Sequence, residues 1–241
     1  MTGKKLLIVF ALLVSSSPAL AQDDDGPALG TRLGSRYRPG TVLPPAQAAK
    51  ASMEIARCID DRKSTETRAY LLSTSPKSAK KGILKTEVDC FTLFLSAPAS
   101  NDLTDARRAS IPEDILRGML AEADIYRLHP AIASLKPMPL QPAYSRPWFA
   151  VTTRHVFVDE MATCIADTNP AGVASLLSTE PYSTQEGAAI GSLSANFGSC
   201  LRAGAKLEAN RQSLRAAIAE ALFQRLYAPV PAPPAAPVKA N

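Results

Sequence analysis

The chain has 241 residues, of which 46% are hydrophobic and 20% are charged. This is enough apolar material for a core, so the composition excludes a wholly disordered protein. The formal net charge of +5 is too small to require a nucleic-acid partner, and we expect none. The longest apolar run is too short to cross a bilayer, so we expect no membrane span once a signal peptide is removed.

Residues 1–21 have the three parts of a secretory signal peptide. Lys4 and Lys5 precede an apolar stretch at residues 6–14, and Ala19-Leu20-Ala21 supplies the small-residue cleavage site. The alternative is an N-terminal membrane anchor, but the apolar stretch reaches only about half of the roughly 20 residues that a spanning helix needs. We therefore predict export and a periplasmic or secreted protein that begins at Gln22.

The mature chain carries four cysteines, Cys58, Cys90, Cys164 and Cys200. An even number of cysteines in an exported protein indicates two disulfides, and three pairings are possible. A metal site or a reactive thiol is the rival interpretation, but no C-x-x-C motif and no neighbouring histidine is present. We expect no metal and no cofactor.

Four blocks of sequence recur in the same order in two parts of the chain. Residues 54–61 and 160–167 share Glu, Ala, Cys, Ile and Asp at matching places, and a Leu-Leu-Ser-Thr-x-Pro block and a second cysteine follow in each part. The pattern L-R-x-x-x-A-E-A-x-x-x-R-L then appears at Leu116–Leu128 and at Leu214–Leu226. Such a duplication predicts two copies of one small unit, with Cys58 bonded to Cys90 and Cys164 to Cys200.

These blocks resemble a group of uncharacterised exported proteins of Gram-negative bacteria that carry Cys, L-L-x-T-x-P, Cys and L-R-x-x-x-A-E-A-L, often in tandem. The resemblance covers most of residues 54–128 and 160–227. It implies no activity, cofactor or catalytic residue for this chain.

The apolar spacing predicts an all-α protein made of two related helical units. In the first unit, Leu116, Met119, Leu120 and Ala123 form the stripe of an amphipathic helix. Residues 91–95 extend the Cys90 helix or form a short strand, since the period does not separate the two. The predicted organisation is a signal peptide (1–21), a flexible arm (22–45), repeat one (46–129), a Pro-rich linker (130–148), repeat two (149–228) and a Pro-rich disordered tail (229–241).

Helix starts and linker anchors can also be predicted from single residues. Ser110 with Glu113, Asn169, Ser183 and Asn210 are expected to cap helices, and Ser78 is expected to cap the start that matches Ser183. We expect the aromatic side chains after the linker to hold it against the core. They are Tyr144, Trp148, Phe149 and Phe157.

Candidate catalytic chemistry is limited to one duplicated acid. The only histidines are His129 and His155, and no familiar hydrolase or nucleotide motif occurs. Glu122 and Glu220 hold matching places, and around a pseudo-twofold axis they could converge as acid and base, as in glycosidases. The competing interpretation places Arg117 and Glu122 in a surface-type setting, where a repeated Arg/Glu pair acts as a tether.

The expected helix start between the Leu-Leu-Ser-Thr-x-Pro block and the second cysteine differs in charge between the repeats. Ser183 is followed by Glu186, whose charge suits a helix start, whereas lysines surround Ser78. Together with backbone N–H groups, those lysines form a candidate site for phosphate, sulfate or an acidic envelope polymer, and a solvated lysine face is the alternative. The candidate residues are Lys77, Ser78, Lys80, Lys81 and Lys85.

These features favour a non-catalytic binding or interaction module over an enzyme. The expected partner is an anionic envelope component or another periplasmic protein. The alternative is a cell-envelope hydrolase that uses Glu122 and Glu220.

Overall fold

A computed structural model describes residues 45–95, 111–127, 132, 134–201 and 210–227. The predicted signal peptide, most of the N-terminal arm, and the Pro-rich tail lie outside these residues, as do His129 and the Ser110 cap. Within the described ranges every regular element is helical, which confirms the all-α prediction. Residues 91–95 belong to a helix, so the strand alternative for them is wrong.

The described residues of the first half, 45–95 and 111–127, form four helices. They are α1 (Pro45–Leu72), α2 (Pro76–Ala79), α3 (Lys81–Leu95) and α4 (Glu113–Arg127). The described residues of the second half, 147–201 and 210–227, form a 3-10 helix and then four helices. They are the 3-10 helix (Pro147–Val151), α5 (Val156–Thr168), α6 (Pro170–Leu177), α7 (Thr184–Cys200) and α8 (Arg211–Tyr227).

Both halves bend their chain at the same place relative to the first cysteine. Lys63, five residues after Cys58, interrupts α1 with φ −144° and ψ 45°. Asn169, five residues after Cys164, separates α5 from α6 with φ −139° and ψ 60°. In the second half Pro170 follows the bend and Asn169 accepts a hydrogen bond from the Gly172 N–H at 2.9 Å, so a proper cap restarts the helix.

Each half is closed by its own disulfide. The sulfurs of Cys58 and Cys90 join α1 to α3, and those of Cys164 and Cys200 join α5 to α7. Both predicted pairings are therefore confirmed. The two bridges indicate an oxidising, extracytoplasmic setting for the protein.

Helices α4 and α8 cross at the centre of the molecule. A Cβ atom built on Gly118 of α4 would lie 2.3 Å from the backbone oxygen of Ala216 in α8, so only glycine fits at this crossing. Helix α4 also packs against α1, and α8 packs against α5 and α6. As a result, one continuous hydrophobic core contains residues of both halves.

The segment that leads into the second half is held against it. The Met138 N–H donates to the Asp167 oxygen at 2.8 Å. Tyr144 and Trp148 are buried, as expected of aromatic anchors, whereas Phe157 is partly exposed. The linker is therefore attached before Met138 as well, because the Lys136 oxygen accepts from Arg225 of α8 and Ile132 is buried in the core.

Three of the predicted caps are present, and one is wrong. Ser183 accepts from the Glu186 N–H at 3.0 Å, and Asn210 accepts from the Ser213 N–H at 2.9 Å. Ser78 lies inside α2 instead of capping a helix, because Pro76 already starts a helical turn after Ser75.

Candidate functional site between the halves

The duplicated arginine and glutamate of α4 and α8 lie in the interface between the halves. Arg117 and Glu220 are fully buried, and Glu122 and Arg215 are nearly so. The expected surface-type setting of Arg117 and Glu122 is therefore wrong. Helix α4 lies between α1 and α8, so the side of the helix next to its apolar stripe is covered as well.

The first pair runs from α4 to α8. Arg117 donates to Oε1 of Glu220 from Nε at 2.8 Å and from Nη2 at 2.5 Å. Its Nη2 also donates to the Leu71 oxygen at 2.9 Å, at the end of α1. Arg117 therefore joins the end of α1 to the opposite half.

The second pair runs in the reverse direction. Arg215 of α8 donates to Glu122 from Nε at 2.9 Å and from Nη2 at 2.6 Å, in a two-pronged contact. It also donates to the Leu177 oxygen at 3.2 Å, at the end of α6. Arg117–Glu220 and Arg215–Glu122, called the tether pairs below, thus make the same contacts in exchanged halves.

A third arginine, Arg154, completes the network around Glu220. It donates to Oε2 of Glu220 at 2.6 Å and to Oδ1 of Asp159 at 2.7 Å, and to the Asp114 oxygen of the first half at 3.0 Å. Arg154 follows Thr153, whose φ of 61° is unfavourable for a β-branched residue. The sequence carries no signal for this residue, because neither repeat block contains it.

The electrostatics of the site follow from burial and pairing. Burial raises the pKa of Glu122 above its ordinary value, and the hydrogen bonds and charge of Arg215 oppose that rise. Burial alone would lower the pKa of Arg154, but Glu220 and Asp159 raise it above its ordinary value. The arginines thus stay charged and compensate the buried carboxylates.

The space next to the tether pairs is small. A cavity beside Glu122 and Arg215, lined also by Tyr182 and Gln212, has room for about one water molecule. Both oxygens of Glu122 and of Glu220 accept hydrogen bonds from arginine. A glycosidase acid must hold a proton to donate, whereas these carboxylates are arranged as acceptors.

The candidate anion-binding residues surround the turn between α2 and α3: Lys77 and Ser78 lie in α2, Lys80 lies between the helices, and Lys81 and Lys85 lie in α3. Lys80 Nζ donates to Oε2 of Glu113 at 2.6 Å, and Tyr70 OH donates to the other oxygen of Glu113. Lys85 is exposed and donates to Asp89 at 3.0 Å. Lys77, Ser78 and Lys81 are exposed near the same turn.

The second half has an ion pair of opposite polarity at a neighbouring place. Arg211 holds the position that matches Glu113 and contacts Oε2 of Glu186 at 3.0 Å, and Glu186 matches Lys81, one residue after Lys80. Glu186 also accepts from Arg215 at 3.0 Å, so the acid joins the start of α7 to a tether pair. The cation directly precedes α3 in the first half, whereas the anion lies in the first turn of α7.

A further buried charged cluster lies between α1 and α4, whereas in the second half the buried acid beside the matching Arg225 is Asp167. Asp60 of α1 and Asp124 of α4 are both buried, and Nη2 of Arg127 contacts a carboxylate oxygen of each, at 3.2 Å in the case of Asp124. Burial raises the pKa of Asp60 to about 6, and Asp124 and Asp61 add to the rise while Arg127 opposes it. Ala166 and Leu222 hold the matching positions of the second half, which is why the repeat pattern did not single these acids out.

The described ranges contain neither a metal-binding cluster nor a membrane-spanning helix. No group of three or more His, Cys, Asp and Glu side chains there is arranged to hold a metal ion. His155 sits at the start of α5, where its ring accepts from the Phe157 N–H at 3.4 Å. No helix of the described parts has both the length and the apolarity of a membrane-spanning segment.

Comparison with known proteins gives no relative from which a function could be transferred. No protein-family model matches the chain, and no curated protein and no solved structure is significantly similar to it.

Proposed function

We propose that this protein is an exported, non-catalytic binding or interaction module that works outside the cytoplasm. The observation that carries the proposal is the use of Glu122 and Glu220. These are the duplicated acids on which a hydrolase would depend, and each is held by an arginine of the opposite half. Acids in such pairs hold the molecule together, which leaves the outer surface for its function.

Stability measurements distinguish a tether from a catalytic acid. A catalytic acid is held at a cost to stability, so its replacement by the amide leaves the fold as stable or more stable. A tether behaves in the opposite way, because its removal leaves a buried arginine without its counter-charge. We therefore expect E122Q and E220Q each to lower the urea midpoint, with the exposed E54Q as control. An unchanged or raised midpoint for both variants would favour the hydrolase.

We further propose that the turn between α2 and α3 binds anionic envelope material. Lys77, Lys81 and Lys85 are exposed there around Ser78, and the N-terminal end of α3 attracts negative charge. The pairing of Lys80 with Glu113 leaves that lysine as a structural contact that positions the turn. The ligand chemistry is a phosphate or sulfate group, free or carried on a polymer.

Retention on dextran sulfate tests this surface. We expect K77Q/K81Q to elute at clearly lower salt than the wild-type protein. The matched control is K50Q/R62Q, which removes the same charge from the exposed side of α1 and should elute close to the wild type. Equal shifts in the two variants would show that bulk charge alone is responsible, and absence of wild-type binding at low ionic strength would exclude the surface. Competition by inorganic sulfate distinguishes a site for the free ion from one that needs a polymer.

A further inference from the structure

The two ion pairs between α4 and α8 are reciprocal. Arg117 matches Arg215 and Glu122 matches Glu220 in the duplicated block, with 98 residues between the members of each match. Arg117 contacts Glu220, and Arg215 contacts Glu122. The arginine position of each unit thus contacts the glutamate position of the other unit. An interface between two identical subunits has the same reciprocal pattern.

The crossing point of the helices gives a second, independent sign of the same symmetry. Gly118 and Ala216 are also matching positions, again 98 residues apart, and they touch each other. In a twofold arrangement the residue that touches its own equivalent lies on the axis. The axis between the halves therefore passes through Gly118 and Ala216.

Contacts inside each half repeat in the same way. Arg117 donates to the Leu71 oxygen and Arg215 to the Leu177 oxygen, within the matching Leu-Leu segments. Farther along the helices, Arg127 donates to the Asp60 oxygen and Arg225 to the Ala166 oxygen, which are matching positions two residues after the cysteines. The surface that each half presents is thus built by the same internal contacts.

We propose that the α4–α8 surface is a subunit interface retained inside one chain, and that the partner it fits is the opposite half of a second copy of this protein. The connection between the halves lies between Arg127, the last residue of α4, and Lys136, whose oxygen accepts from Arg225 of α8. Exchange of halves between two copies rebuilds both tether pairs of each copy, since the pairs involve only α4 and α8.

Two complementary full-length variants test the proposal. The first variant, R117M/E122M, has methionines in place of the tether-pair residues of α4 and keeps the charged residues of α8. The second variant, R215M/E220M, has methionines in α8 and keeps the charged residues of α4. Alone, each leaves two buried charges without their cross-interface partners. In an exchanged heterodimer the apolar α4 meets the apolar α8, and the charged α4 meets the charged α8. Methionine is chosen because a buried ion pair replaced on both sides by apolar residues of similar size is tolerated.

The two variants are unfolded together in urea with their disulfides intact, diluted, and analysed by native mass spectrometry. We expect a 1:1 heterodimer in at least tenfold excess over either homodimer. Each variant mixed with wild-type protein is the control, because exchange then creates no better match and no heterodimer should accumulate. If a variant fails to fold alone, recovery of helical circular dichroism in the mixture is the readout. A mixture that contains only monomers, equal amounts of all dimers, or no recovered helix overturns the proposal.

Discussion

The two halves share the tether pairs but differ in two other groups of charged residues. These are the buried acids Asp60 and Asp124, and the ion pairs near the starts of α3 and α7. The comparison separates the charged contacts that both halves need from those that only one half has. The tether pairs, the bend after the first cysteine and the disulfide occur in both halves. The buried Asp60 and Asp124 occur in one half only, where the other half has Ala166 and Leu222. The second half thus forms corresponding helices with apolar residues at these two positions.

The tether pairs should give the largest effects on stability, and they should be unequal. In R117A, Glu220 keeps Arg154, whereas in R215A the close ion pair of Glu122 is lost. Because a buried charge without its partner costs about 3–5 kcal/mol, we expect R215A to lose about that much and R117A to lose less. Urea unfolding followed by circular dichroism measures both. A larger loss for R117A would show that Arg154 does not compensate for the missing partner.

The burial of Asp60 in the first half predicts that the stability depends on pH. The pKa of Asp60, about 6 in the folded protein, lies above the ordinary 3.8, so folding favours the protonated acid. The stability from this group is complete below about pH 4 and is lost as the pH rises through 6, by at most about 3 kcal/mol. We expect the wild type to gain more stability than D60N when the pH falls from 7.5 to 5.

The matched control for this pH effect is D61N, because the Asp61 side chain is largely exposed. Its unfolding free energy should keep the pH dependence of the wild type, with the midpoint at a slightly lower pH because the charge of Asp61 adds to the rise in the pKa of Asp60. Parallel profiles for D60N and the wild type would show that Asp60 is not the group that titrates.

The crossing point allows the symmetry itself to be tested by exchange of two residues. In G118A the new Cβ would lie within 2.4 Å of atoms of Ala216, so the helices must separate, at a cost of about 1–3 kcal/mol. The double variant G118A/A216G exchanges the glycine and the alanine between the two matching positions. If a twofold axis passes through this contact, the exchanged pair has the same environment as the original pair. The double variant should therefore regain part of the stability lost in G118A, as measured by thermal unfolding.

The single variant A216G supplies the reference for that comparison. It should cost about 1 kcal/mol through helix propensity alone. A double variant whose loss equals the sum of the two single losses would contradict the exchange.

The ion pairs of opposite polarity should give the smallest effect. K80E places two acids together at the start of α3, and the partly exposed setting limits the loss to about 1 kcal/mol. K80E/E113K copies the polarity of Glu186 and Arg211, so we expect it to recover most of that loss in the same thermal assay. The double variant should not recover the whole loss of stability, because it lacks the hydrogen bond that Tyr70 donates to Glu113.

The sequence predicted those features that depend on near neighbours. The caps at Asn169, Ser183 and Asn210 each require only a side chain and an N–H group three residues later. The disulfide pairing followed from the duplication, because each unit has to close on itself. The prediction that Ser78 caps a helix was wrong because a helical turn already begins at Pro76, two residues before Ser78.

The site was only partly predictable, because burial depends on packing between helices. The spacing placed Arg117 and Glu122 beside the apolar stripe but did not reveal that α1 and α8 cover this side as well. The pattern does not identify the partner of each residue, and the actual partners are 103 and 93 residues away. Arg154 had no signal because its role depends on the position of the turn after the 3-10 helix.

The location of the disulfides has a consequence for the order in which the molecule unfolds. Both covalent loops, Cys58–Cys90 and Cys164–Cys200, end before the helix that enters the interface. Loop closure therefore limits the entropy that α1–α3 and α5–α7 gain on unfolding, but it leaves α4 and α8 with their full gain. Under oxidising conditions the two outer hairpins remain closed while the centre opens, so slow hydrogen exchange should persist longest next to the cysteines instead of at the axis.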